Sequence, residues 1–169
     1  TYALCEPKLV SKSSVAAGRL AFTETISIFD RQPESFGWGD DTIVFFNARD
    51  RFSYREASDP VDLTSGVICI PNNFQYGDER LGEGIVRVTC LANYNTWKAY
   101  RDDEYAESKE KWRPRIWEAA KVFMPRSPVD YEGDCIAHDM FTPTTIERYT
   151  WRKRGAIYGA PSKSKDGTT

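Results

Sequence analysis

The chain of 169 residues has a formal net charge of −2 and is 40% hydrophobic and 14% aromatic. This length is sufficient for one substantial core, and the composition excludes an intrinsically disordered protein. The near-zero charge excludes a broad nucleic-acid surface, and the apolar runs are too short for a transmembrane segment. The sequence therefore predicts one domain over residues 1–169, in which residues 162–169 form a flexible charged tail.

Four segments in the first part of the chain have the apolar content and the turn boundaries of β-strands. They are residues 20–30, 42–47, 66–71 and 85–93. No helical pattern lies between them, which favours an antiparallel or mixed sheet over parallel crossovers.

The first of these strands has one apolar face. Its members are Leu20, Phe22, Ile26 and Ile28, and Glu24 interrupts them. The second and third strands are apolar on both faces, and for the second, residues 42–47, this predicts a central strand.

A helical pattern follows, with apolar residues recurring at spacings of three and four. They are Tyr105, Trp112, Ile116, Ala119, Ala120 and Phe123. Pro114 interrupts the pattern, so we expect a kink or two helices that meet near Trp112. The predicted fold class is α+β: an antiparallel or mixed sheet of about four to six strands, covered on one face by this long helix.

The stretch from Cys135 to Gly159 combines a strand, a short helix and a turn. Cys135–Met140 alternates as a strand does, and Thr142 can cap a helix that has Pro143 at its first position. Glu147, three residues after Thr144, offers a second capping-box register.

The phrase F-T-P-x-T-x-x-R-Y, followed by G-A-I-Y-G, resembles the late part of phytoene desaturase-like flavoproteins, which include carotenoid desaturases and retinol saturase-type enzymes. The resemblance covers residues 141–159. It implies that Gly155, Tyr158 and Gly159 approach a bound FAD. The G-x-G-x-x-G fingerprint with which family members bind FAD does not occur in this sequence.

The resemblance therefore implies the substrate domain of an FAD-dependent oxidoreductase that acts on an isoprenoid, a polyene or a similar apolar molecule. The partner would be the missing FAD-binding domain of the same parent chain. We expect the fragment alone to be inactive and to bind no FAD, and the sequence identifies no catalytic residue.

Four aromatic and branched residues of the central strands are candidates for the lining of a substrate tunnel. They are Phe45, Phe46, Val67 and Ile68. Core packing explains them equally well. The alternative is a non-enzymatic module that holds an apolar ligand between the helix and the sheet.

Other chemistry has little support in the sequence. His138, the single histidine, and Asp139 would point to opposite faces of a strand, so they cannot form an adjacent dyad. The basic run of residues 152–154 fits either a helix C-terminus or a contact with a phosphate or a partner.

The four cysteines lie far apart in the sequence and form no C-x-x-C motif, so we predict no metal site. They are Cys5, Cys69, Cys90 and Cys135. Buried free thiols at Cys69 and Cys90 are the simpler expectation, in a reducing cytoplasm, with the intact parent associated with a membrane.

Overall fold

The computed structural model describes residues 18–74, 77–126 and 133–157, which form five strands and three α-helices. The strands are β1 (Ala21–Phe29), β2 (Ile43–Asn47), β3 (Val61–Cys69), β4 (Gly84–Ala92) and β5 (Cys135–Phe141). The helices are α1 (Tyr94–Ala99), α2 (Asp102–Lys121) and α3 (Pro143–Thr150). Short 3₁₀ turns cover Pro33–Phe36, Pro71–Asn73 and Lys153–Gly155.

The five strands form one sheet in the order β2-β3-β4-β1-β5, and every neighbouring pair is antiparallel. The predicted α+β class is therefore confirmed. The first strand of the chain is an interior strand of the sheet, because it pairs with β4 on one side and with β5 on the other. The prediction that residues 42–47 form a central strand is wrong, because β2 lies at the edge of the sheet and pairs only with β3.

The buried core lies between α2 and one face of the sheet. Trp112, Ile116, Trp117 and Ala120 of α2 belong to the same buried cluster as strand residues such as Val88. At the far end of the sheet, the ring of Phe123 stacks on that of Phe46, with 5.1 Å between ring centres.

The side of β1 that faces this core is its hydroxyl-bearing side. Thr23, Thr25 and Ser27 are buried, and Trp117 Nε1 donates to Ser27 Oγ at 3.0 Å. The apolar residues Ile26 and Ile28 share a face, as the sequence predicts, but it is the face turned away from α2.

Helix α2 is one uninterrupted helix of 20 residues with Pro114 inside it. The predicted alternative of two helices that meet near Trp112 is therefore wrong. No helix in the described parts of the chain is long and apolar enough to cross a membrane.

Helix α3 begins as predicted, with Thr142 at the N-cap and Pro143 in the first helical position. The predicted capping register with Glu147 is wrong, because the hydroxyl of Thr145 accepts the backbone N–H of Thr142 at 3.2 Å. Tyr105 OH lies 2.7 Å from Thr142 Oγ1, which ties the start of α2 to the start of α3.

Candidate functional site

The four predicted tunnel residues lie on opposite faces of the sheet. Phe46 and Ile68 are buried in the core beneath α2. Phe45 and Val67 are cross-strand partners on the other face, where the side chain of Phe45 is 78% exposed. The structure therefore brings only Phe45 and Val67 to a surface that a ligand can reach.

We call the sheet face turned away from α2 the outer face. Across β1 to β4 it carries half-buried or exposed apolar side chains that do not belong to the buried cluster under α2. They are Ile26, Ile28, Ile43, Phe45, Val67 and Ile85. A sheet face open to water is normally polar, so this one has the composition of a contact surface.

The centre of the outer face holds one charged cluster. Glu24 is only 5% exposed, and its two carboxylate oxygens accept from Arg87 Nε and from Thr89 Oγ1, each at 2.6 Å. These bonds offset the cost of burying the carboxylate. The side chain of Arg87 is itself 39% exposed, so its guanidinium retains N–H donors toward solvent.

Cys69 lies beside this cluster, as the cross-strand partner of Arg87. Burial raises the pKa of the Cys69 thiol, and the nearby Arg87 guanidinium offsets this only in part. Burial also raises the pKa of Cys90 to about 12. Both are free thiols, as predicted, although Cys69 is only half-buried, and Cys5 lies outside the described residues.

Gly155, the first of the predicted flavin contacts, is required by packing. It has φ +59°, and a Cβ on it would lie 2.1 Å from the carbonyl oxygen of Pro143. Only glycine allows the turn after α3 to approach the start of that helix so closely. Tyr158 and Gly159, the other two predicted contacts, lie outside the described residues.

The same turn holds two other residues in the left-handed backbone region. Trp151 has φ +58° and Arg154 has φ +63°. For residues with a Cβ, this conformation costs about 1 to 2 kcal/mol each. Such strain persists only where surrounding contacts enforce it.

Glu147 contacts both residues, and its backbone carbonyl accepts the N–H of Trp151 at 3.0 Å. Its Oε1 accepts the backbone N–H of Arg154 at 2.8 Å, and its Oε2 accepts the hydroxyl of Tyr94 at 2.5 Å. Burial alone would raise the pKa of the Glu147 carboxyl, but these bonds and the charges of Lys98 and Arg154 lower it. Burial and the bond to Glu147 raise the pKa of Tyr94 to about 12.

The residues of the predicted basic run, 152–154, have two different roles. Arg154 is used inside the molecule, because its guanidinium donates to Glu56 Oε1 at 2.8 Å and to Asn95 Oδ1 at 3.1 Å. Arg152 donates to the carbonyl oxygen of Ile157 and is exposed, and Lys153 is exposed as well. The run follows the end of α3 at Thr150.

His138 and Asp139 are exposed on the edge strand β5. Asp139 accepts from Lys109 Nζ at 3.2 Å and from the backbone N–H of Met140 at 2.7 Å. Burial would raise the pKa of Asp139, but these bonds and the nearby charges lower it. Within residues 18–74, 77–126 and 133–157, no three His, Cys, Asp or Glu side chains are grouped to hold a metal ion.

No protein-family model matches the chain, and a search of curated proteins finds no significant match. The resemblance over residues 141–159 therefore stays a prediction.

Proposed function

We propose that this chain is a binding domain that holds an elongated apolar molecule against its outer face. The observation that carries the proposal is Phe45, 78% exposed beside its cross-strand partner Val67 on a predominantly apolar sheet face. Burying a phenylalanine side chain of this kind contributes about 1.5 to 3 kcal/mol.

Arg87 adds a polar anchor to this surface. Glu24 occupies its Nε and one terminal nitrogen, while the 39% exposed side chain leaves further donors free. A guanidinium with free N–H groups binds a carboxylate or a hydroxyl oxygen well. The ligand class that suits the outer face is therefore an apolar chain with a polar head group.

A binding assay on the chain itself tests this proposal. The probe is cis-parinaric acid, a polyene fatty acid whose fluorescence rises in apolar surroundings. We expect saturable binding that Phe45→Ser weakens roughly tenfold, since about 1.4 kcal/mol corresponds to a factor of ten. The methyl ester of the probe should bind less tightly than the acid because it lacks the charge that pairs with Arg87.

Phe52→Ser is the matched control, because Phe52 is another exposed aromatic residue and lies in the loop after β2. It should leave the affinity unchanged. Absence of saturable binding, or equal affinity for the chain and its Phe45→Ser variant, would exclude the outer face as the ligand site.

We further infer that, in a longer cytoplasmic parent protein, this domain forms the substrate side of an FAD-dependent oxidoreductase. The support is the sequence phrase over residues 141–159 alone. A separate domain would bind the FAD, which would carry out the redox step, while the present chain would position the substrate and exclude water. A flavin absorbance band in the purified parent would support this inference. A parent that binds no flavin after FAD is added would overturn it without affecting the ligand site.

A further inference from the structure

Beyond ligand binding, the end of α3 carries an exposed cluster that neither the core nor the outer face explains. Its members, which we call the basic aromatic patch, are Arg148, Tyr149, Trp151, Arg152 and Lys153. Tyr149 is 72% exposed and Trp151 is 79% exposed, so both rings project into solvent.

The patch is built and held in place. The backbone N–H of Trp151 bonds to Glu147 O at 3.0 Å and closes the helix, while the side chain of Glu147 fixes the turn that follows. An exposed tryptophan in the left-handed region is disfavoured both by its backbone and by its contact with water. The left-handed backbone serves to end the helix, but the exposed indole adds no packing to the fold, which points to a role in binding.

The charges around the two rings are predominantly positive. Arg148 lies over the ring of Tyr149, with 5.6 Å between the guanidinium carbon and the ring centre. Lys98 of α1 lies 3.8 Å from Glu147 Oε2 and is 63% exposed, so the neighbouring helix adds another cation. The acidic group in contact with this region, Glu147, is already engaged by Tyr94 and Arg154.

We propose that the basic aromatic patch docks the protein on an anionic membrane surface. Tryptophan and tyrosine concentrate at the level of lipid head groups, and basic residues beside them are attracted to anionic lipids. A projecting helix end suits a flat surface. A single-stranded nucleic acid instead needs a positive groove that follows its backbone.

Co-sedimentation of the chain with lipid vesicles tests this proposal. We expect binding to phosphatidylcholine vesicles that contain about 30 mol% phosphatidylserine, weak binding to phosphatidylcholine alone, and a decline in affinity as salt rises from about 0.1 to 0.5 M. Lys153→Glu should weaken binding roughly tenfold, because each cation near such a surface contributes a comparable factor. Arg80→Glu, which reverses an exposed cation in the loop before β4, is the matched control and should have little effect.

Trp151→Gly separates docking from folding. Glycine accepts φ +58° without strain, so the unfolding midpoint should stay the same or rise. Binding to the anionic vesicles should fall at least about fivefold, because the exposed indole is lost. A purely structural Trp151 would lower the unfolding midpoint and leave vesicle binding intact.

Two results would overturn the proposal. One is equal binding to the anionic vesicles by the chain and by both patch variants. The other is tight binding of a single-stranded oligonucleotide of about 20 nucleotides, lost in Lys153→Glu and Trp151→Gly, without vesicle binding.

Discussion

Gly155 shows how one residue fixes the geometry of the whole turn after α3. Its positive φ and its close approach to the carbonyl oxygen of Pro143 both exclude a side chain. The sequence indicated a close approach at this glycine. The partner in that approach within the described residues is the protein's own backbone.

We expect Gly155→Ala to lower the free energy of unfolding by about 2 to 4 kcal/mol, because it combines backbone strain with a steric clash. Gly77→Ala is the matched control. Gly77 also has a positive φ, +68°, but no atom lies within 4 Å of the position of a Cβ. It should therefore cost only about 1 kcal/mol. Urea unfolding of both variants measures the difference. Equal losses in the free energy of unfolding would mean that the backbone near Pro143 moves aside without cost.

Glu147 makes stability depend on pH. Its folded pKa lies below the unfolded value of 4.5, so its contribution is present above that value and is lost as pH falls through the folded pKa. Glu147→Gln should lower the free energy of unfolding near neutral pH by about 1 kcal/mol, a modest figure because the carboxylate is partly exposed.

Urea unfolding of the chain and of this variant, at about pH 7 and about pH 3, provides the measurement. The difference between the two proteins should shrink at the lower pH. A difference that is independent of pH would show that the charge of Glu147 does not stabilise the turn.

At the scale of the elements, the long helix is unbroken although it contains a proline. Pro114 has no N–H for the carbonyl of Glu110, four residues earlier, yet α2 continues to Lys121. The packing of Trp112, Ile116 and Trp117 on the sheet outweighs this local cost. Local sequence rules left one kinked helix and two separate helices as alternatives, and the burial of the helix face decides between them.

Pro114→Ala should raise the free energy of unfolding by about 1 to 2 kcal/mol, because it restores a helix hydrogen bond at the expense of some unfolded-state rigidity. Pro143→Ala should instead lower it by about 0.5 kcal/mol, since proline suits the first position of α3. Thermal unfolding compares the two substitutions. A loss of stability in Pro114→Ala would show that the packing of the proline ring matters more than the missing bond.

Across the whole molecule, the presence of the strands, the long helix and the Thr142–Pro143 helix start follows from sequence patterns and capping residues, although β3 begins at Val61, five residues before the predicted segment 66–71. Helix α1 does not, because its six residues are too few to show a period; Asn93 caps it and Trp97 anchors it to Pro60 O. The buried face of β1 was also unpredictable. Thr23 donates to Phe141 O and Ser27 accepts from the Trp117 indole, and these bonds offset the cost of burying their hydroxyls.

The candidate sites also depend on tertiary contacts that the local sequence pattern does not show. The sequence identified Phe45 and Val67 but could not separate them from Phe46 and Ile68. A strand that is apolar on both faces does not indicate which of its faces is buried in the core. No residue type in the sequence predicts the left-handed backbone at Trp151 and Arg154, because glycine or asparagine normally occupies such positions. The carbonyl oxygen of Glu147 accepts the N–H of Trp151, and its carboxylate accepts the N–H of Arg154.

The interior position of β1 has a consequence for the folding of the protein during translation. Residues 21–29 emerge early, but one of their two neighbours is made of residues 135–141. Until Phe141 has left the exit tunnel, the nascent chain presents β1 with one unpaired edge, which is the kind of edge that recruits other strands. The sheet is therefore completed only after its last strand, Cys135–Phe141, has emerged.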